Sequence, residues 1–320
     1  MRLLCISVII LVNATPVKSE TDVRLEQSEH GIEALVNDKP FASYLTRSGW
    51  QPVVWPMIGP TGAAYTRSYP VGPLQESESE DHVHHRSLWF AHGDVNGFDF
   101  WGNTQPDNSC EIVHREFIEP DEDGPAAVVI TRNDWMASGE KQCEDVRTVV
   151  FGADESAFWI DFTIRLIASE GDVVFGDTKE GTFAVRVAGS MKVDPPGQGQ
   201  IVNSLGQKND AAWGQPAEWV DYFGPVDGET VGVAILSHPS NFRDPGRWHV
   251  RSYGLFAANP FGESDFPPGD HCQGEVVLPA GDELTLRYMV VLHQGDDKTG
   301  DIRRRYQSFA QDADQTAAAP

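Results

Sequence analysis

The stretch Phe158-Trp159-Ile160-Asp161-Phe162-Thr163-Ile164-Arg165-Leu166 sets apolar side chains at every second position, with Trp159, Asp161, Thr163 and Arg165 between them. Successive side chains of an extended chain point to opposite faces, so the run reads as a strand with one buried face. Leu284, Leu286, Tyr288, Val290 and Leu292 repeat the alternation, with Thr285, Arg287 and His293 on the opposite parity. Shorter runs rich in β-branched and aromatic residues lie at 126–130, 147–151, 183–187, 231–236 and 248–256. Thirty glycines and 21 prolines, spread without repeats or low-complexity blocks, supply the turns. The pattern predicts an all-β fold, a large antiparallel β-sandwich of two packed sheets. Helical spacing is convincing only near the end, where Asp301 is placed to cap a turn and Ile302, Tyr306 and Phe309 share a face.

Residues 1–19 have the layout of a signal peptide: Met1-Arg2, an apolar run from Leu3 to Val12, then small or polar residues to Ser19. That run is too short to span a bilayer and no later segment is long enough, so the expected location is periplasmic or extracellular. No linker divides the remainder, and 20–310 is expected to form a single β-sandwich domain with 311–320 as a disordered tail. Without residues 1–19, which include Arg2 and Lys18, 22 basic side chains face 48 acidic ones, a net charge of −26 with histidine neutral. Such a balance argues against nucleic acid and an anionic membrane as partners. Export permits disulfides, but Cys110, Cys143 and Cys272 are odd in number. A Cys110–Cys143 bond between neighbouring strands and three buried thiols are both open.

Three stretches could carry chemistry. The run from Asp81 to Trp101 gathers four of the ten histidines, three aspartates, Arg86 and two tryptophans into 21 residues. If it is extended, His82 and His84 share one face and His85 takes the other. His82 and His84 then have a usable metal-ligand spacing, so a divalent metal is a possible cofactor, completed by His92, His249, Asp177 or Glu180. Histidines acting as acid or base without metal are the competing reading. The second stretch, Gly176 to Arg186, flanks Lys179 with Asp177 and Glu180 ahead of an apolar strand. Paired carboxylates can have raised proton affinity, although a solvated turn is the simpler reading of this segment alone. The third, Ser237 to Tyr253 and on to Gly262, mixes arginine, histidine, asparagine and tryptophan around prolines, which suits a polar ligand with an apolar face. Carbohydrate is such a ligand, with Trp101, Trp89 or Trp248 as stacking platforms, Trp89 being the best placed of them for the core. No Gly-x-Ser-x-Gly elbow, phosphate loop or dinucleotide fingerprint is present.

Gly59-Pro60-Thr61-Gly62, Thr66-Arg67-Ser68-Tyr69-Pro70, Asp81–Trp101, Asp177–Ala188 and His238–Gly262 together resemble a secreted bacterial family labelled PmoA-like, or methane oxygenase. The chain departs from that resemblance at Val83, where proline is expected. The oxygenase label implies membrane helices, which this sequence lacks after its first residues. At fold level the chain is similar to the galactose-mutarotase-like supersandwich, whose site lies on the concave face of a large sheet. That resemblance implies His85, His92, Asp177, Glu180 and His249 as acid, base or ligand-binding groups. It implies Arg67, Arg86, Asn96, Lys179, Arg186, Arg243 and Asn259 as substrate contacts, beside Trp101 and Trp248. The resulting expectation is an exported carbohydrate-active enzyme working by acid–base chemistry, as epimerase, lyase or glycoside hydrolase, on a sugar or another polar small molecule. A non-catalytic sugar-binding module, a histidine/carboxylate metalloprotein and an immunoglobulin-like structural role are the alternatives.

Overall fold

A computed structural model of the protein describes residues 21–104, 109–120, 127–269 and 274–312. The expected signal peptide, Cys272 and residues 313–320 of the expected tail lie outside the described residues. The chain forms β1 (Val23–Ser28), β2 (Gly31–Val36), β3 (Lys39–Ser48), β4 (Gln51–Met57), β5 (Leu88–His92) and β6 (Cys110–Ile118). It continues through β7 (Val128–Ala137), β8 (Glu140–Ala153), β9 (Ala157–Ile167), β10 (Val173–Phe175), β11 (Gly181–Arg186) and β12 (Gln200–Asn203). Then follow β13 (Trp219–Val226), β14 (Glu229–Ser237), β15 (Arg247–Val250), β16 (Leu255–Asn259), β17 (Val276–Leu278), β18 (Glu283–Gln294) and α1 (Ile302–Phe309).

Two eight-stranded antiparallel sheets result. Sheet one has the order β1-β2-β3-β4-β5-β11-β16-β15, sheet two the order β12-β13-β14-β18-β9-β8-β7-β6, and β10 pairs with β17 apart from both. The two strands read from alternation are neighbours at the centre of sheet two, where Ile160 faces Val290, Phe162 faces Tyr288 and Ile164 faces Leu286 across the ladder. Their apolar parity packs inward against sheet one: Phe183 of β11 stacks on Tyr288 and meets Phe162 edge-on, and Phe90 of β5 meets Trp135. One continuous core of buried side chains from both sheets follows. On the other parity, Arg287 pairs with Asp161, and Phe309 of α1 covers that pair. The run at 248–256 divides into β15, a turn and β16.

One expectation is corrected, and of the two open readings of the cysteines the structure has the buried thiols. Asp301 adopts a left-handed backbone (φ 53°) and makes no side-chain cap to α1; its carboxylate holds Arg304 instead. Cys110 and Cys143 are buried free thiols. They sit in β6 and β8 with β7 between them, Cys110 opposite Ala137 and Cys143 opposite Trp135. Two strand spacings, about 10 Å, exceed the Cα reach of a disulfide. Among the described residues no helix is long and apolar enough to cross a membrane.

Candidate active site

The register of sheet one decides where a site can form. Because Phe90 and Phe183 point into the sandwich, the alternate residues on β5, β11, β16 and β15 point away from it. Cross-strand pairing then lines up Trp89, Ala184, Ala257 and His249 in one row on the outer face. Trp89 is covered by His85 and Trp101, while His249 opens onto a cleft walled by the loops at the ends of these strands. The resulting cleft has a volume of about 600 Å³.

The first wall is the segment from Ser79 to Arg86. It is a turn, with His82 at φ 42° and the His85 N–H bonded to the His82 carbonyl. The expected strand, with its histidines split between faces, is therefore not formed, and His82, His84 and His85 all line the cleft. Arg67 shapes this turn from behind. Its guanidinium is wholly buried and donates to the carbonyls of Asp81, His82 and His85 and to the Asp81 carboxylate at 2.7 Å. The His82 ring stacks against both His85 (4.7 Å) and Tyr253 (5.0 Å), and His85 continues onto Trp89 (5.3 Å).

Hydrogen bonds fix the tautomers of the two most buried imidazoles in the cleft. Arg186 donates to Nδ1 of His85 at 3.0 Å, so Nδ1 carries the lone pair and Nε2 the proton. In His249 the arrangement is reversed: Nδ1–H donates to the Lys179 carbonyl at 2.9 Å, leaving a lone pair on Nε2. Burial, reinforced by Arg251, pushes the His249 pKa down to about 4. Burial, with His82 beside it, does the same to His84, also to about 4. His85 is driven well below its ordinary range by burial, then by His84 and Arg186. Burial alone would raise the Asp81 carboxyl, but Arg186 and the His82 hydrogen bond outweigh it and hold it at about 2. His84, His85 and His249 thus face the cleft as neutral imidazoles, with an anion–cation pair, Asp81–Arg186, behind them.

Lys179, Glu180 and Trp101 also line the cleft, Lys179 Nζ lying 3.4 Å from Glu180 Oε1. Asp99, Arg251 and Tyr253, which were not singled out from the sequence as site residues, complete it. Asp99 is committed to its own turn, accepting from the backbone of Gly102 and Thr104 and from the Thr104 hydroxyl.

The remaining expected site residues lie elsewhere. His92 is wholly buried, donating from Nε2 to the Gly176 carbonyl and packing on Phe261 and Phe175, so it does not reach the cleft. Asp177 accepts from the N–H groups of Glu263, Ser264 and Gly274; burial would raise its pKa, but those donors lower it, which suits a loop anchor and not a base. Arg67 and Arg186 stand behind the cleft wall. Arg86 bonds to the Ser48 hydroxyl, and Arg243 to the carbonyls of Pro260 and Gly274. Asn96 accepts from Val174 N–H in a turn, Asn259 accepts from Phe261 and Gly262 N–H, and Trp248 is core, its indole N–H on the Ala217 carbonyl. Of the four cleft histidines, His82, His84 and His85 contact one another through ring faces and edges. Among the described residues no three histidine, cysteine or carboxylate side chains are grouped to hold a metal, His82 and His84 included.

A model of one protein family, described as a family of unknown function, matches residues 31–307. No curated protein matches the chain at a significant level. Among solved structures the chain is similar to a polysaccharide lyase, at 12% identity and a TM-score of 0.35, covering 90% of this chain and 34% of that one. It is similar to a 4-alpha-glucanotransferase from Thermococcus litoralis at 10% identity and a TM-score of 0.34, covering 86% and 40%. It is also similar to a heparan sulfate lyase HepC mutant from Pedobacter heparinus at 8% identity and a TM-score of 0.32, covering 88% and 36%. The chain spans about a third to two fifths of the length of these proteins.

Proposed function

The chain belongs to this family of unknown function, DUF6807, and from that premise we propose that it is an exported carbohydrate-active enzyme that moves protons on a sugar held in the outer-face cleft of sheet one. The observation that carries the reading is the pair of opposed tautomers: His249 offers a lone pair at Nε2 and His85 a proton at Nε2 in one cleft. A sugar has hydroxyls and C–H bonds that need both an acceptor and a donor, and C–H faces that lie against rings such as Trp101 and Tyr253.

In this scheme His249 takes the proton. The Lys179 carbonyl orients it by binding Nδ1–H, and its low proton affinity keeps it neutral and ready at any pH well above 4. The Tyr253 phenol, stacked near His85 in the same cleft, supplies a proton in return, and the neutral His85 donates a hydrogen bond from Nε2–H. Glycoside hydrolysis by two carboxylates is less well served. Asp99 is tied up by three donors and Glu180 lies against Lys179. Proton abstraction, as in epimerisation or elimination, fits the imidazole pair better.

The finer kinship with PmoA-like proteins rests on the five sequence stretches given above. Export rests on the layout of residues 1–19, and N-terminal sequencing of the secreted protein tests it. The function is tested by screening the protein against a panel of poly- and oligosaccharides, then comparing His249→Gln with the parent. Turnover that falls at least about 100-fold while binding persists supports the proposal. Binding without turnover on any sugar favours a binding module, and no binding at all removes the carbohydrate reading.

A further inference from the structure

The cleft holds a cation that the protein itself does not neutralise. The chain has 48 carboxylates for 24 lysines and arginines, and most described arginines hold one, as Arg67 and Arg186 hold Asp81, Arg147 holds Asp145 and Arg247 holds Glu263. Arg251 does not. Its exposed guanidinium lines the cleft and makes no ion pair or hydrogen bond among the described residues. It lies 5.7 Å from the Tyr253 ring and 6.0 Å from the Trp213 ring.

The turn that carries Arg251 is fixed. Arg251 N–H bonds to the Leu255 carbonyl and Gly254 N–H to the Arg251 carbonyl. The Tyr222 hydroxyl donates to the carbonyls of Arg251 and Ser252 from below. Of the other charged side chains of the cleft, Lys179 is paired with Glu180, and Asp99 is bound into its own turn by three neutral donors. What remains is one guanidinium, held against aromatic faces, two residues along the chain from His249. A guanidinium presents a planar fork of donors that matches a carboxylate or sulfate.

Resting on the carbohydrate reading above, we propose that the substrate is an acidic sugar and that Arg251 receives its anionic group beside His249. A uronate carboxylate so neutralised no longer opposes the negative charge that develops when a neighbouring C–H is deprotonated, so the same contact that selects the substrate eases proton removal by His249. The overall negative charge of the protein does not forbid an acidic ligand. At physiological ionic strength it is screened beyond about 8 Å, and within the cleft Arg251 is a cation with no ion pair among the described residues.

The experiment is isothermal titration of the full chain with oligogalacturonates and oligomannuronates, each against its carboxyl-reduced counterpart, at low and physiological salt. The parent should bind at least one acidic oligosaccharide about tenfold or more tightly than its reduced form. In Arg251→Gln that preference should collapse to near unity, and Arg251→Lys, which keeps the charge, should retain part of it. An equal affinity for acidic and reduced forms in the parent, or an undiminished preference in Arg251→Gln, overturns the inference while leaving the carbohydrate reading intact. Binding of neither form, with no sugar bound in the wider panel, overturns both.

Discussion

Arg186 donates a hydrogen bond to His85 Nδ1 at 3.0 Å, and a guanidinium has no lone pair to accept one in return. His85 is therefore held as the Nε2–H tautomer by a residue that never touches the cleft surface. Replacing Arg186 with Gln should free both tautomers, visible as a change in the ¹⁵N shifts of the His85 ring. Asp81 would keep Arg67 as a partner, so the expected loss of stability is about 1–3 kcal/mol in chemical denaturation. Ring shifts that stay at the Nε2–H values would show that the tautomer has another cause.

The Arg67 guanidinium makes the turn at 79–85 what it is, because its donors satisfy carbonyls that a wet loop would give to water. Arg67→Met should destabilise the protein by about 3–5 kcal/mol, since it leaves those buried acceptors and part of Asp81 unpaired. Hydrogen exchange should accelerate first in residues 79–86. A uniform increase across the sheets would indicate global loosening and count against a local clamp.

Stability should fall on both sides of neutrality, for opposite reasons. The folded pKa of His249 lies near 4, below the usual value of about 6.5 for an unfolded histidine. Its contribution is therefore complete above about pH 6.5 and is lost as pH falls toward 4, at about 1.4 kcal/mol per pH unit. His293 behaves in the reverse sense. Burial would lower its pKa, but the buried Asp221 carboxylate 3.1 Å away raises it. That stabilisation is complete below about pH 6.5 and is lost as pH rises through the raised value. Thermal melts from pH 4 to 9 should show both limbs. His293→Gln should flatten only the alkaline one, and an alkaline limb of unchanged slope in that variant would refute the assignment.

Alternation sufficed for β9 and β18 because one parity is continuously apolar while the other carries Asp161, Thr163, Thr285 and Arg287, and the register between them follows from matching apolar parities. The same rule, carried through Leu88 to His92, would have separated Trp89 on the outer face from Phe90 and His92 on the other parity. It also places Arg251 on the parity of His249. The turn at 79–86 was not legible in this way. Nothing in the residue type of His82 announces a left-handed backbone, and the clamp that stabilises it comes from Arg67, across the fold. Loop anchors such as Asp177 and Asn259 carry the same side chains as catalytic groups. Only their backbone partners, Gly274 N–H and Gly262 N–H among them, distinguish the two.

His92 and His249 offer the sharpest contrast, since both are buried imidazoles with Nδ1 or Nε2 on a backbone carbonyl. Only His249 opens onto the cleft. His92 is packed against Phe175 and Phe261, so His92→Ala should act as a core truncation and cost about 2–5 kcal/mol. Turnover per folded molecule should then stay within a few-fold of the parent, measured well below the melting temperature. His249→Gln should do the opposite, with a small change in melting temperature and at least about a 100-fold loss in kcat/KM. Equal losses of turnover in the two variants, after correction for the folded fraction, would mean that the cleft on the outer face of sheet one is not where the chemistry occurs.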